Sequence, residues 1–497
     1  MTDAARASVN LDVSSGRDLA PAAPRPEDPF RIAIIGNFRG RTGAGADALA
    51  DRTGVLVDRD DLDEVLARLA PRLTLELEGG TEVALSFAEL DDFHPDKIFQ
   101  RAPFFRALRE ARSRLANPQT FSATLDSIIG GARAPARPGG PRVDADDVVA
   151  DVLTSSLLDR MVASGAEAAR DPLQGFLRQI VAPHIVPGED PHREALLADV
   201  DTAVADGMRA VLHHPRFQAL EALWRGVDFL VRRLETGAML KLQLIDATTD
   251  ELRADLTGSG DPDNGALARV LRRTAQGGGW STLLLEHAFG PSEDDLVLLY
   301  GLSALAARLG AAVLGGAQPA MVALDSFAAL MPEADAVHEW QHEAWHAFRR
   351  RTEAASAGLV LPRFLLRVPY GENGEPCDVL RFEEMTTPPT HDDFLWGNGA
   401  FAAALLLGQA FDHSGWEMRP GQQIDVTGLP LHTWRSTSGP EIQPCAECLM
   451  TDRLANALMD AGPMVLATIK HGDTARLVRF HSLAAPLRAL QGPWSRL

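Results

Sequence analysis

The chain contains 497 residues, of which 45% are hydrophobic and 23% are charged, a composition typical of a globular protein with more than one domain. Its 48 lysines and arginines are outnumbered by 68 aspartates and glutamates, which gives a formal net charge of −20. Nucleic-acid-binding proteins usually present a basic face, so this balance argues against nucleic acid as a partner. Three cysteines are too few for a disulfide framework and favour an intracellular, cytoplasmic location.

The start of the chain and its longest apolar run exclude two further classes. Residues 1–28 lack a basic start followed by an apolar run, so we expect a mobile tail and not a signal peptide. The longest apolar run, residues 399–411, is shorter than the roughly 20 residues that a membrane-spanning helix needs. It predicts a buried helix, and the sequence therefore predicts no membrane insertion.

The first predicted strand is the β-branched run RIAIIGNF at residues 31–38, which leads into the glycine-rich stretch RGRTGAGAD. A strand followed by such a loop can indicate a phosphate-binding site. This loop lacks the G-x-x-x-x-G-K-[ST] pattern and the third spaced glycine of a dinucleotide fingerprint. It therefore predicts a flexible turn, and no cofactor.

Local patterns place a small α/β unit at residues 29–118. Apolar residues at helical spacing predict a helix near residues 62–69, and period-two alternation on both sides of Gly79 and Gly80 predicts a hairpin. Pro95 is suited to the first turn of a helix that continues over residues 96–115.

A linker and a mainly helical segment follow this unit. Residues 119–142 predict the linker, because their second half is rich in glycine and proline and holds no apolar residue larger than alanine. Residues 143–215 carry apolar residues at helical spacing. The first amphipathic helix of this segment either packs on the next domain or binds a partner through Leu157, Leu158 and Met161.

The largest domain is predicted over residues 216–483, with a C-terminal tail at 484–497. A helix at 217–234 precedes the strand-like run MLKLQLIDA, and residues 283–317 have a strand-helix-strand pattern that favours a parallel or mixed sheet. The predicted fold class is α/β, with a small α/β unit joined by the linker to a larger mixed α/β domain.

The stretch HEWQHEAWH at residues 338–346 contains two overlapping copies of the zinc-peptidase pattern H-E-x-x-H. His338, His342 and His346 are therefore candidate zinc ligands, with a glutamate placed to activate water. No H-x-x-G-x-x-H extension follows, and His342 cannot serve both copies in one tetrahedral site. Solvated or hydrogen-bonded histidines on a structural helix are the competing interpretation.

The three cysteines do not specify a second kind of site. Cys445 and Cys448 have the C-x-x-C spacing of redox and zinc sites. The third cysteine, Cys377, is remote in sequence, and no second C-x-x-C completes a tetrahedral set. No catalytic residue, metal or cofactor is predicted here.

Blocks between residues 211 and 466 resemble, in order, the large contractile-sheath subunit of type VI secretion systems (TssC or VipB). They are VLHHPRFQALEALWRGVDFLV with KLQLIDATTDELRADL, LPRFLLRVPYG, FEE, LWGNGAFAAALLLGQAF with GW, GLPLHTW, and MTDRLANALMDAGPMVL. The structural residues that this resemblance implies are Phe217, Trp224, Arg225, Pro362, Arg363, Arg367, Tyr370, Glu383, Glu384, Trp396, Asn398, Asp452 and Arg453. Arg363, Arg367, Tyr370, Glu383 and Glu384 are candidates for a buried ion-pair network that fixes geometry or holds a protomer interface.

The N-terminal unit is similar to the small sheath subunit (TssB or VipA) in RIAIIGNFRGR, DRDDLDEVLARLAPRL and LSFAELDDFHPDKIFQRAPFFRALREARSRL. The chain thus resembles both subunits joined by the linker. The resemblance implies a non-enzymatic component of a sheath that assembles around an Hcp-like inner tube. Implied partners are other sheath subunits, the tube, baseplate proteins and an AAA+ disassembly ATPase, for which the helix with SSLLDRMV is a candidate contact.

Two departures from the family motivate a second hypothesis. The large subunit usually continues with a domain whose strands interlock with neighbouring subunits, and the small subunit adds a segment to that sheet; the sequence predicts neither. A sheath-like adaptor or cap, docked at the baseplate or tube end without polymerising, is therefore the first alternative. A zinc hydrolase based on HEWQHEAWH is the second.

Overall fold

The computed structural model describes residues 23–124, 193–328 and 341–496, apart from residues 44, 46, 78, 79, 259–261, 373, 386–388, 437, 438 and 471. The strands are β1 Phe30–Gly36, β2 Val55–Val57, β3 Arg72–Leu77, β4 Thr81–Ser86, β5 Leu240–Asp246, β6 Thr282–Phe289, β7 Ala312–Ala317, β8 Ala357–Leu361, β9 Phe364–Leu365, β10 Trp396–Gly397, β11 Asp425–Val426, β12 His432–Ser436, β13 Gly439–Gln443, β14 Met464–Thr468 and β15 Ala475–Leu477. The helices are α1 Leu62–Leu69, α2 Pro95–Arg101, α3 Pro103–Ala116, α4 Arg193–Leu212, α5 Pro215–Val231, α6 Thr249–Gly258, α7 Ala266–Ala275, α8 Glu293–Leu309, α9 Glu343–Arg349, α10 Gly399–Ser414 and α11 Asp452–Asp460.

A nine-stranded mixed sheet organises the described residues, in the order β11-β15-β14-β8-β7-β6-β1-β5-β2. The six strands from β14 to β5 run parallel, and the strands at the two ends are antiparallel to their neighbours. The α/β fold class predicted from the sequence is confirmed.

Strand β1 lies in the interior of this sheet, although it belongs to the N-terminal part of the chain. Phe30 pairs with Leu240 on β5, and Ile32 pairs with Thr282 on β6, both in parallel register. Alternating side chains of β1 are buried in the cores on opposite faces of the sheet, with Ile34 on one face and Ile35 on the other. A strand buried on both faces explains the nearly continuous apolar run RIAIIG.

Helices cover both faces of the sheet. One core contains residues of α1, α3, α4, α5 and α10 together with the β3–β4 hairpin, and the other contains residues of α7, α8, α9 and α11. The buried faces of α3 and α4 pack against each other, which joins the N-terminal residues to the helix that precedes α5. Residues 29–118 and 216–483 thus share one sheet and one core, while their boundaries as domains stay a prediction.

Several local predictions match the structure. Helix α1, the β3–β4 hairpin and the strand-helix-strand unit β6-α8-β7 form where the patterns place them. Residues 399–411 are part of α10, where nearly every side chain is buried, and none of the described helices combines the length and apolar character needed to cross a bilayer. The helix predicted over 96–115 is instead two helices, because Pro103 starts α3 and leaves Ala102 in an extended conformation.

Some predictions fall on residues outside the described ranges. These are the tail at 1–22, the linker from residue 125 onward, the partner-binding helix with Leu157, Leu158 and Met161, and His338.

Candidate functional site

Helix α5, which carries the first family motif, holds the N-terminal residues against the rest of the core. The Trp224 indole Nε1 donates a hydrogen bond of 3.1 Å to the Phe38 carbonyl oxygen, and the two rings meet edge to face at 5.3 Å. Phe217 packs edge to face on Phe93 with ring centroids 5.8 Å apart. Two predicted structural residues therefore contact the part of the chain that resembles the small sheath subunit.

A buried ion cluster forms around Arg367. Its Nε donates to Glu221 Oε1 at 2.9 Å, while Nη1 and Nη2 donate to the two oxygens of Glu384 at 2.8 and 2.9 Å. The side chains of Glu221 and Glu384 are 0% exposed, and that of Arg367 is 4% exposed. Burial alone would raise the pKa of Glu384, but Arg367, the nearby His213 imidazole at 3.8 Å and a hydrogen bond from the Tyr370 backbone N–H lower it to about 2. The pair is therefore ionised in the folded protein at neutral pH.

The cluster extends to α5 and towards the N-terminal residues. Arg225 Nε donates to Glu221 Oε1 at 2.7 Å, and Arg225 Nη2 donates to the Tyr370 hydroxyl at 3.0 Å. Burial raises the pKa of Tyr370, so its hydroxyl stays protonated. The Tyr370 ring meets His94 edge to face at 4.7 Å. The cluster thus joins family motifs on α5 and after β9 to the start of α2.

Arg363, which the sequence grouped with this cluster, lies in a second one. Its Nε and Nη2 donate to Glu447 Oε1 at 3.0 and 2.7 Å, and His391 Nε2 lies 3.0 Å from the same oxygen. Burial would raise the pKa of Glu447, but His391 and Arg363 lower it. Arg363 also lies 5.9 Å from the centre of the Trp396 ring. Neither Glu221 nor Glu447 was singled out from the sequence, because both lie far along the chain from their partners.

The remaining motif residues have separate positions. Glu383 accepts a bond of 2.9 Å from the Glu372 backbone N–H instead of pairing with Arg367. Asn398 caps α10 by accepting the Ala400 backbone N–H at 2.9 Å. Pro362 is buried, whereas Asp452 and Arg453 at the start of α11 are exposed.

The described part of HEWQHEAWH does not form the helical pair that a zinc peptidase needs. Helix α9 begins at Glu343, so His342 is the residue before its first turn and has an extended conformation. His342 Nε2 lies 3.9 Å from Glu293 Oε1. Within the described ranges, neither His342 nor His346 belongs to a group of three closely spaced potential ligands.

The group of potential ligands that does occur there is His94, Asp96 and Cys377, whose ligand atoms lie within 4.8 Å of one another. His94 Nδ1 already accepts the Asp96 backbone N–H, and the Asp96 carboxylate accepts three backbone N–H groups of residues 378–380. Burial and nearby carboxylates raise the pKa of Cys377 to about 12. The Asp96 carboxylate therefore holds the start of α2 to residues 378–380, and these hydrogen bonds favour a structural role for the group.

Cys445 and Cys448 are buried free thiols. Burial raises the pKa of both, and that of Cys448 is about 12. Reactive cysteines have lowered pKa values, so this pair lacks the electrostatics of a redox C-x-x-C.

Two family models match the chain. The model of the EvpB/VC_A0108 tail sheath N-terminal domain (VipB) matches residues 194–484. The model described as type VI secretion system, VipA, VC_A0107 or Hcp2 matches residues 3–126. Because the first match covers more than half of the chain, the protein belongs to the VipB tail sheath family.

Two relatives from Pseudomonas aeruginosa agree with these matches. The type VI secretion system sheath protein TssC1 is 28% identical over 306 residues, covering 59% of this chain and 61% of the relative. The sheath protein TssB1 is 27% identical over 124 residues, covering 24% of this chain and 70% of the relative. The chain therefore spans less than two thirds of TssC1, and the resemblance to both sheath subunits is confirmed.

Proposed function

We propose that the protein is a cytoplasmic, non-enzymatic structural component of a type VI secretion sheath, in which one chain supplies the equivalents of both subunits. The observation that carries this proposal is the position of β1 between β5 and β6. A strand from the TssB-like residues completes a sheet built from the TssC-like residues. The TssB-like and TssC-like parts of the chain therefore form one protomer and not two independent modules.

Covalent linkage has a direct consequence for assembly. Two separate subunits must meet at every position of a lattice, whereas a fused pair has a fixed one-to-one ratio and a high effective concentration of each half for the other. Its partners would be further sheath subunits, an Hcp-like tube and baseplate proteins, and an AAA+ ATPase would disassemble the spent sheath.

The test is assembly. The purified chain, alone and mixed with type VI sheath subunits and an Hcp-like tube protein, would be examined by sedimentation velocity and negative-stain microscopy. Tubes or stacked rings containing the chain would support the sheath role. A persistent monomer or small discrete complex in every mixture would contradict it and favour the adaptor or cap.

The control concerns the shared sheet. Ile34→Asp places a charge in the core beneath β1, where Ile34 is 0% exposed, and should prevent assembly by unfolding the protomer. Asp60→Asn, at a side chain that is 88% exposed, should assemble as the parent does. Together the variants show whether assembly requires the folded protomer.

A further inference from the structure

A crevice opens where the parallel strands β5, β1, β6 and β7 end. It consists of two adjoining cavities of about 480 and 450 Å³, and Glu286, Ala288 and Gln318 line both. The carboxyl edge of a parallel sheet is where α/β proteins commonly bind ligands, because the loops there diverge and leave space. Arg363 and Glu447 of the second ion cluster line the second cavity, whereas Arg367, Glu221 and Glu384 line neither cavity.

Glu286 forms the boundary between the two cavities. It lies where the register of β6 against β7 shifts between Leu284 and Ala288, and such an irregularity redirects side chains. One carboxylate oxygen, Oε2, accepts the Asn37 backbone N–H at 3.2 Å. Asn398 Nδ2 donates to the Glu286 carbonyl oxygen at 2.6 Å, which holds the backbone at this point. The carboxylate is thus part-buried and fixed in position.

Within the described ranges, Glu286 has no ion-pair partner, although two arginines line the same cavities. Arg41 is committed to Asp246 at 3.0 Å and to Glu251 at 3.3 Å. Arg363 is committed to Glu447 at 2.7 Å. Both arginines among the described lining residues are therefore already neutralised, whereas the Glu286 carboxylate has no ion-pair partner there.

The remaining walls supply negative charge and apolar surface. Asp325 and Asp392 line the second cavity, whereas Asp250 in the first cavity is already paired with Arg253 at 3.1 Å. The second cavity also has an apolar wall that includes Leu223, Phe327, Trp396 and Phe401. A lysine or arginine side chain matches both features, since its apolar stem packs on hydrophobic surface while its charged head meets a carboxylate.

We propose that this crevice receives a lysine or arginine side chain of an assembly partner, with the cationic head on Glu286 and the stem along the wall formed by Leu223 and Phe327. That the partner is an assembly protein rests on the proposed function. The expected occupant is a basic polypeptide segment and not a free polyamine, because the apolar wall favours a side chain that enters with its stem desolvated.

The test uses the full-length chain and saturation-transfer NMR with the blocked pentapeptides Gly-Gly-Arg-Gly-Gly and Gly-Gly-Lys-Gly-Gly. A pentapeptide with neutral citrulline in place of arginine is the matched ligand control. We expect the basic peptides to bind at least tenfold more tightly than the citrulline peptide, and binding to weaken with added salt. Equal binding of the citrulline peptide would overturn the proposal.

Protein variants locate the effect. Glu286→Gln should weaken binding of both basic peptides at least tenfold, whereas Asp60→Asn removes one exposed carboxylate and should leave binding unchanged. An unchanged affinity in folded Glu286→Gln protein would refute the site. Binding of spermidine that depends on Glu286, without binding of either peptide, would refute a polypeptide occupant. Because the titration uses the isolated chain, its result is separate from the formation of tubes.

Discussion

The Trp224 indole donates its N–H to the Phe38 carbonyl oxygen across 186 residues of sequence, at a distance of 3.1 Å inside the core. Trp224 lies in a motif of the large sheath subunit, and Phe38 follows the strand of the part that resembles the small one. The bond therefore joins the part of the chain that resembles the large subunit to the part that resembles the small one.

Replacing Trp224 by Phe should destabilise the fold by about 1–3 kcal/mol, because it leaves the buried Phe38 carbonyl without its donor. Trp434→Phe is the matched control, since the Trp434 Nε1 has no hydrogen-bond partner among the described residues. Denaturant unfolding measures both. Equal losses in the two variants would mean that the Trp224 hydrogen bond is not the cause.

Arg367→Met should cost about 3–5 kcal/mol of unfolding free energy, because it leaves two buried carboxylates without their shared cation. Arg476→Met breaks an exposed pair with Asp425 and should have little effect. Thermal unfolding compares the variants. A loss for Arg367→Met no greater than that for Arg476→Met would show that the buried cluster contributes little.

The acid sensitivity of the fold should depend on Glu384. Its pKa is about 2 in the folded chain against 4.5 ordinarily, so its contribution is present above pH 4.5 and is lost as the pH falls towards 2. In Glu384→Gln, unfolding free energy should be lower at neutral pH and should fall less steeply over this range. Part of the fall in unfolding free energy with pH should remain in this variant, because the pKa of Glu251 is also about 2. An unchanged slope would contradict this assignment.

The three thiols should react slowly with a disulfide reagent at pH 8 in the folded protein. Cys445 and Cys448 are buried, and the pKa values of Cys377 and Cys448 are both about 12, so little thiolate is present. In guanidinium chloride, which unfolds the chain, all three thiols should react rapidly. Rapid reaction of the folded chain at Cys445 or Cys448 would revive the redox reading of the C-x-x-C.

Gly36→Ala should destabilise the chain by about 1–3 kcal/mol through overpacking at the end of β1. A Cβ there would lie 2.9 Å from both Glu286 Oε2 and a Leu223 methyl group. Gly43→Ala is the control, because a Cβ at Gly43 meets no atom within 4 Å. If both substitutions proved neutral, the Glu286 carboxylate would have room to move.

Patterns among residues close in sequence predicted much of the fold. The pairing of segments far apart in sequence could not be predicted in this way. Helix α1 and the β3–β4 hairpin follow from spacing within a few residues of each other. The insertion of β1 between β5 and β6 depends on register between segments about 210 residues apart, which no local pattern specifies. Pro103 could also have predicted the break before α3, but we predicted a single helix there.

The candidate sites show the same limit. The sequence grouped Arg363 and Arg367 because both belong to the motif LPRFLLRVPYG, but their side chains enter different clusters. Their acidic partners, Glu447 and Glu221, come from distant segments. Residue type identified the arginines, whereas only the packed structure identified what each one binds.

The position of β1 also sets the order of events during synthesis. This strand leaves the ribosome first among its sheet neighbours, but its pairing partner β5 follows about 210 residues later. At translation rates of 5–20 residues per second, β1 waits about 10–40 s with both edges unpaired. Unpaired apolar edges are templates for aggregation. The nascent chain should therefore depend on chaperones over this interval.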